Sequence, residues 1–254
     1  PVQRAEEQLQ LMTLGPPWPP PPFGPDEWVA RLGTLPLLAQ PGERWLYNTG
    51  AQVLGVLIER AAQMPLEEFL VTRLFEPLDM YDTGFSWPAG ARDRVATAYA
   101  PDEDGKPVLF DRPDGYWSSP PSFPNAAGWL VSTLDDYWAF VQLLGNNGVY
   151  HHRRLLSEKS IALMTADHLE TAQRDDARLF LGGSGWGYCM AVPPADRGKE
   201  RIPGYGWDGG SGTIWRTDPS TGLIGILFTQ RQLTSPEPPP VFVDFWSAAR
   251  DALT

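Results

Sequence analysis

The chain has 254 residues, 42% of them hydrophobic and 20% charged, with a formal net charge of −11. This length and apolar content support one large domain or two intimate lobes, and the negative charge argues against nucleic acid or an anionic membrane surface as partner. A single cysteine, Cys189, excludes an internal disulfide framework and reads as a small buried filler in an apolar strand.

In chain order, residues 1–14 read as a helical or irregular lead. The proline-rich stretch Gly15 to Pro25 is barred from helix and central strand and reads as extended polyproline. It is either a ligand for a proline-binding domain or a loop packed across a cleft mouth, the latter favoured because Trp18 and Phe23 call for burial. Asp26 is placed to cap a short helix through Leu32. After the Pro41-Gly42 turn, a helix is expected over Ala51–Gln63 with Val53, Leu54, Leu57, Ile58 and Ala61 on one face. A second helix runs from Leu66 to Phe75, stopped before Pro77.

Residues 84–127 are loop-rich, with turn signals at Asp104-Gly105 and Asp114-Gly115. Ser132 to Asp135 reads as a capping box for a helix through Leu144, and Ser157 as the cap of another through Thr165. Strands follow at Gly185–Val192, Thr213–Arg216 and Leu223–Gln230, with a hairpin turn at 218–222. Val241–Leu253 is a closing helix. Helices first, antiparallel strands next and a terminal helix give an α+β order, with a helical and loop lobe over 1–175 and sheet strands with the last helix over 176–254.

Two segments carry chemistry. Tyr47 lies just before a helix on a Pro-Gly turn, either as a buried aromatic beside a cap or as a general base if a cation lowers its pKa. Trp207-Asp208-Gly209-Gly210 is either an ordinary glycine bulge or a strand edge where backbone approaches a substrate. The serines of Gly183-Ser184-Gly185 and Gly210-Ser211-Gly212 lack the strand-turn-helix setting of a nucleophile elbow. His151, His152 and His168 lack the further ligands a metal site needs.

The string from Pro41 to Phe85, with Tyr47-Asn48-Thr49 and Pro77-Leu78-Asp79-Met80-Tyr81-Asp82-Thr83, resembles the serine β-lactamase, penicillin-binding protein and esterase superfamily. Gly128-Trp129-Leu130-Val131-Ser132-Thr133, Gly185-Trp186-Gly187-Tyr188 and Tyr205 to Gly212 resemble further family motifs, in the family order. The resemblance implies a β-lactamase/transpeptidase-like α+β fold, a helical lobe plus an antiparallel sheet covered by a C-terminal helix. It implies Tyr47 as base and the Gly210 amide as an oxyanion donor, facing one cleft, and no cofactor and no metal. Asn48, Thr49, Trp207, Asp208, Gly209 and Trp129 are the expected substrate-binding residues. Either Thr49 or Asn48 takes the family's asparagine position, depending on which end of the motif is aligned; the first alignment is preferred. Trp207 replaces a cation that binds substrate carboxylates in the family, and Asp208 adds negative charge beside it, so neutral esters are expected over anionic β-lactams. Trp18, Phe23, Trp129 and Trp186 are expected as apolar walls.

The family nucleophile is the serine of Ser-x-x-Lys. Lys106, Lys159 and Lys199 are preceded three positions earlier by Glu103, Leu156 and Asp196, so the motif is absent. The chain is therefore expected to be the carboxy-terminal part of a longer serine hydrolase, esterase-like, acting on a small ester or amide. The alternative is a non-catalytic module of the same fold that binds peptide or glycan in a tryptophan-rich groove. No partner nucleic acid or membrane span is expected, and no signal peptide is visible.

Overall fold

A computed structural model describes residues 2–11, 20–193 and 204–253; Trp18 and most of the polyproline stretch lie outside these. The chain divides into two compact units, Pro1–Ala96 with Asp111–Asp136, and Thr97–Phe110 with Tyr137–Thr254.

In the first unit, α1 spans Val2–Gln8, α2 Pro25–Leu32, α3 Thr49–Ala62 and α4 Leu66–Leu70. Pro25 opens α2, where its missing N–H is harmless and its fixed φ suits a helix. Gly24 holds the cap position, so Asp26 lies in the first turn instead. The core gathers Leu11, Phe23, Trp28, Val56 and Phe123. Trp28 stacks on Phe123 at 4.8 Å between ring centroids, and its indole N–H donates to the Leu11 carbonyl at 3.1 Å. The buried indole thus keeps a polar partner while contributing a large apolar area. Phe23 is a core residue of this unit, buried among these side chains, and does not serve as a cleft wall.

The structure corrects the reading of α3. Its buried side carries Gln52, Gly55 and Val56, whereas Val53, Leu54 and Leu57 are 40%, 44% and 58% exposed. Apolar residues lie on both sides of this helix, so periodicity alone picks the wrong one. Gly55 decides the matter. A Cβ there would sit 2.8 Å from Ala126 Cβ and 3.2 Å from Leu66 Cδ2, so only a glycine lets these segments approach.

The run Leu66–Phe75 is helical, but Val71–Phe75 widens to a π turn and Glu76–Leu78 then tightens to a 3₁₀ turn that includes Pro77. The run ends at Asp79, with φ 59°, and Met80 N–H donates to the Phe75 carbonyl at 2.9 Å. Asp136 ties down the following turn: its Oδ2 accepts from the Asp82 N–H at 2.9 Å and from the Thr83 hydroxyl at 2.8 Å. Thr133, one residue later than expected, caps α5 (Leu134–Gly145) by accepting from the Asp136 N–H at 3.2 Å. Ser132 Oγ lies instead 2.8 Å from Thr83 Oγ1.

In the second unit, β1 (Ala98–Pro101) and β2 (Pro107–Asp111) form a hairpin within the stretch read as loop. Asp102 Oδ1 holds its turn, accepting from the N–H groups of Asp104 at 3.0 Å and Lys106 at 2.8 Å. A second hairpin, β3 (Val149–Tyr150) with β4 (Arg153–Arg154), turns through His151 and His152. Ser157 caps α6 (Glu158–Met164), its Oγ accepting from the Ser160 N–H at 3.0 Å. Two short helices follow, α7 (Thr171–Asp176) and α8 (Arg178–Leu181).

The sheet has the order β5 (Gly185–Trp186), β6 (Ala191–Val192), β7 (Tyr205–Gly209), β8 (Thr213–Asp218), β9 (Leu223–Phe228), with every neighbouring pair antiparallel. The strand expected over Gly185–Val192 is thus a hairpin. Cys189 lies in its reversal, exposed and with φ 59°, and is no buried filler. One sheet face packs Tyr205 and Trp215 against Val141, Leu144 and Ile161. The other packs Ile214 against Phe242 and Trp246 of α9 (Pro240–Asp251). This helix-and-sheet arrangement is the α+β class expected.

Helix α9 reaches the sheet over a missing side chain. A Cβ at Gly225 would lie 2.6 Å from Trp246 Cη2 and 3.1 Å from Phe245 Cε1. Gly225→Val is expected to destabilise the protein by about 1–3 kcal/mol, the usual range for overpacking. Urea unfolding checks this, and a midpoint equal to that of the parent would show that α9 yields freely.

Candidate active site

In the first unit the segment before α3 is held by local bonds. The chain turns at Pro41–Glu43, with Gly42 at φ 87° and the Gln40 N–H donating to Glu43 Oε2 at 2.7 Å. Trp45 and Tyr47 follow, their rings 5.9 Å apart and tilted by 35°. Tyr47 is half-buried. Asn48 occupies the cap position of α3 with φ 102°, a backbone setting that asparagine tolerates better than most residues. Its carbonyl accepts from the Ala51 N–H at 3.0 Å and the Gln52 N–H at 3.3 Å. Its side chain makes no capping bond, and its Oδ1 is buried without a hydrogen-bond partner among the described residues. Thr49 is the first helical residue. A buried acceptor without a partner is an unusual arrangement, since buried polar atoms are nearly always paired.

Trp129 belongs to the same unit and has φ 77°, which is strained for a bulky side chain. Its carbonyl accepts from the Trp117 indole N–H at 3.0 Å. Asn125 steadies the preceding turn: it is buried, and its Oδ1 accepts from the Ala127 N–H at 2.8 Å. Sequence reasoning missed Trp117 and Asn125. The tryptophan-rich composition pointed toward the first, and nothing local singled out the second.

In the second unit, Trp207, Asp208 and Gly209 end β7, and Gly210 opens the reversal into β8. The reversal closes with the Gly212 N–H donating to the Gly209 carbonyl at 2.9 Å, with Gly212 at φ 82°. Three residues between paired Gly209 and Thr213, the last left-handed, make a common hairpin geometry. The Gly210 carbonyl accepts from the Leu233 N–H at 2.8 Å, which fixes the peptide after it.

Trp207 is part of an aromatic cluster. Phe180 stacks beside it at 5.8 Å, and Trp186 meets it edge-on at 4.7 Å. The structure therefore brings the expected wall residue Trp186 onto Trp207. Asp167, which the sequence did not flag, holds Trp186 in place. Its Oδ1 accepts from the Trp186 N–H at 3.1 Å, and its Oδ2 is paired with Arg174.

Asp208 points away from Trp207, as strand alternation requires. Its Oδ1 lies 2.6 Å from Arg216 Nη2, and the two side chains are only 18% and 9% exposed. Burial pushes the Asp208 carboxyl upward while Arg216 opposes the shift. Burial likewise pulls the Arg216 guanidinium down, and Asp208 opposes that. The negative charge expected beside Trp207 is thus balanced by a guanidinium, which sequence order gave no means of pairing with it.

The remaining candidates have structural surroundings. Ser211 is exposed in the β7–β8 reversal, and Ser184 N–H donates to the Leu181 carbonyl at 2.9 Å. His151 stacks on Tyr150 at 4.1 Å, and His168 on Tyr188 at 4.8 Å. Among the described residues no helix is long and apolar enough to cross a membrane.

A family model described as Beta-lactamase matches residues 6–241. Protein Rv1367c of Mycobacterium tuberculosis (strain ATCC 25618 / H37Rv) is 38% identical over 242 residues, covering 91% of this chain and 57% of that protein. Esterase EstB of Burkholderia gladioli is 27% identical over 232 residues, covering 82% of this chain and 55% of its own length. The solved structure of EstCE1, a hydrolase with promiscuous acyltransferase activity, matches with a TM-score of 0.74 at 21% identity, over 100% of this chain and 66% of its own. That likeness shows the fold. The chain spans about half the length of the curated relatives it matches.

Removing one partner of a buried ion pair strands the other. Asp208→Ala is expected to cost about 3–5 kcal/mol by leaving Arg216 without a counter-charge, and Asp208→Leu with Arg216→Met is expected to recover most of it. Chemical denaturation of both variants is the check. A double variant no more stable than Asp208→Ala would contradict the pairing argument.

Proposed function

Because the chain belongs to the β-lactamase family, we propose that it is part of a serine hydrolase of esterase type whose Ser-x-x-Lys nucleophile is absent from these 254 residues. The observation that supports this reading is the content of the matched span. It includes both the Tyr47-Asn48-Thr49 entry to α3 and the Gly209-Gly210 exit of β7, while no lysine follows a serine at the required spacing.

In this reading Tyr47 takes the proton of the attacking serine hydroxyl, assisted by the absent lysine. The serine oxygen bonds to the ester carbonyl carbon, and the Gly210 N–H donates to the oxyanion that forms. Such a donor contributes roughly 3 kcal/mol to a transition state. Collapse of the intermediate expels the alcohol, which takes up the proton, and water then hydrolyses the acyl-enzyme. Asn48 offers a buried acceptor that lacks a donor among the described residues, so it suits a substrate or nucleophile N–H or O–H. Thr49 borders it on the chain. Gly209 lets the backbone come close, and Trp207 and Trp129 present aromatic surface to the acyl or alcohol group.

Trp207 in an aromatic cluster, with no cation in its place, supports neutral esters over carboxylate-bearing substrates. Asp208 contributes less to that preference than its formal charge implies, because Arg216 balances it.

The chain alone is expected to show no acyl transfer to p-nitrophenyl acetate or nitrocefin, since removing the nucleophile from a concerted set removes most of the catalysis. Stoichiometric acylation, located by mass mapping, would overturn this. In a protein of the relatives' length that carries the nucleophile, ester hydrolysis is expected, and its absence would favour a binding module. There the kcat/KM ratio of a neutral ester to a cephalosporin should exceed one. Trp207→Lys should move that ratio roughly tenfold toward the anion, the scale of one partly screened attraction. A wild-type preference for the cephalosporin would refute the charge argument.

A further inference from the structure

The reversal that carries Gly210 is fastened by the chain beyond β9. Gly210 is exposed, but Gly212, at the other end of the reversal, is buried. The Gly212 carbonyl accepts twice from Thr229, from its N–H at 3.0 Å and from its hydroxyl at 2.7 Å. A carbonyl oxygen has two lone pairs, so one threonine satisfies both. The approach is close: a Cβ at Gly212 would lie 2.5 Å from Thr229 Oγ1 and 2.0 Å from the Arg231 carbonyl oxygen. The Leu233 N–H donates to the Gly210 carbonyl at 2.8 Å. Both ends of the reversal are thus bonded to residues 229–233.

That segment is itself anchored. Tyr99 of β1 donates its N–H to the Gln230 carbonyl at 2.7 Å, and its carbonyl accepts from the Gln232 N–H at 2.8 Å. The Gln230 side-chain amide donates to the Thr97 carbonyl at 2.8 Å, and Gln232 is buried. Residues 229–233 therefore present a fixed edge to the reversal.

These bonds converge on one peptide plane. The Gly209–Gly210 peptide is a rigid trans unit, with the Gly209 carbonyl and the Gly210 N–H on opposite sides. The Gly212 N–H donates to that carbonyl at 2.9 Å, so the position of Gly212 sets the direction of the Gly210 N–H. Glycine backbone has wide conformational freedom, and an outside restraint is needed to hold it. Thr229 supplies one through a side chain.

We propose that Thr229 is a positioning residue for acyl transfer, its hydroxyl holding the Gly212 carbonyl so that the Gly210 N–H stays aimed at the oxyanion. The proposal rests on the hydrolase reading, because the direction of Gly210 matters only if an acyl intermediate forms there. An oxyanion donor acts by being held in place before the charge develops, so loosening it forfeits part of what its removal would.

Two measurements test this. In the 254-residue chain, amide hydrogen exchange at Gly212 reads the restraint without any catalysis. Thr229→Val removes the hydroxyl and keeps the backbone bond, and should speed that exchange roughly fivefold, the scale of one hydrogen bond. Thr229→Ser should exchange like wild type. In a protein of the relatives' length that carries the nucleophile, Thr229→Val should lower kcat for p-nitrophenyl acetate roughly tenfold and leave KM within about twofold, the pattern of an interaction made only in the transition state. Thr229→Ser should restore kcat. Unchanged exchange or unchanged kcat in Thr229→Val would overturn the proposal, as would a loss carried by KM or a serine variant no better than valine. If the longer wild-type protein hydrolyses no ester while Gly212 exchange still responds, the hydrolase reading has failed and the role of Thr229 in acyl transfer falls with it. If Thr229→Val does not fold, Thr229→Ala against Thr229→Ser makes the same comparison, a single oxygen apart.

Discussion

A guanidinium buried in a sheet constrains everything around it. Arg216 is 7% exposed, so its charge needs a counter-ion inside the protein, and Asp208 is that ion. The pair runs diagonally between β7 and β8, because Arg216 lies directly opposite Gly206. Gly206 is required there: a Cβ would come within 2.1 Å of the Trp215 carbonyl oxygen and 2.9 Å of Arg216 Cδ. A one-residue slip of β7 against β8 would turn Asp208 to the other face and leave Arg216 without its charge. The register thus fixed sends Tyr205, Trp207, Trp215 and Thr217 to one face together. The aromatic cluster at Trp207 follows from that one choice.

The first unit relies on backbone settings more than on charge. Gly55 permits close contact with Ala126, while Asn48 and Trp129 hold positive φ values. Conformations of this kind cost energy and persist only where surrounding bonds over-determine them. At Trp129 the carbonyl bond from the Trp117 indole and the turn held by Asn125 provide that determination. At Asn48 two helix amides bind the carbonyl.

The order of elements and the family were legible in the sequence. Ser157 caps its helix, Asp218 to Gly222 turns the β8–β9 hairpin, and the closing helix lies over the sheet, all from short-range signals. Such signals work because a cap or a tight turn is decided within four or five residues. The strings at Tyr47-Asn48-Thr49 and at Trp207 to Gly210 carried the family likeness by their order and spacing along the chain.

What the sequence by itself determined was local: the Ser157 cap, the turn of the β8–β9 hairpin, the family to which the chain belongs, and the lack of a serine three residues before any lysine. Tertiary structure alone decided which side of α3 is buried, because its apolar residues encircle the helix and only the contact of Gly55 with Ala126 breaks the tie. It alone decided that Phe23 is core, that Cys189 is exposed in a reversal, and that the charge of Asp208 is balanced. Each depends on residues far apart in the chain, Phe23 with Phe123 or Asp208 with a neighbouring strand, and no local rule encodes such a pairing.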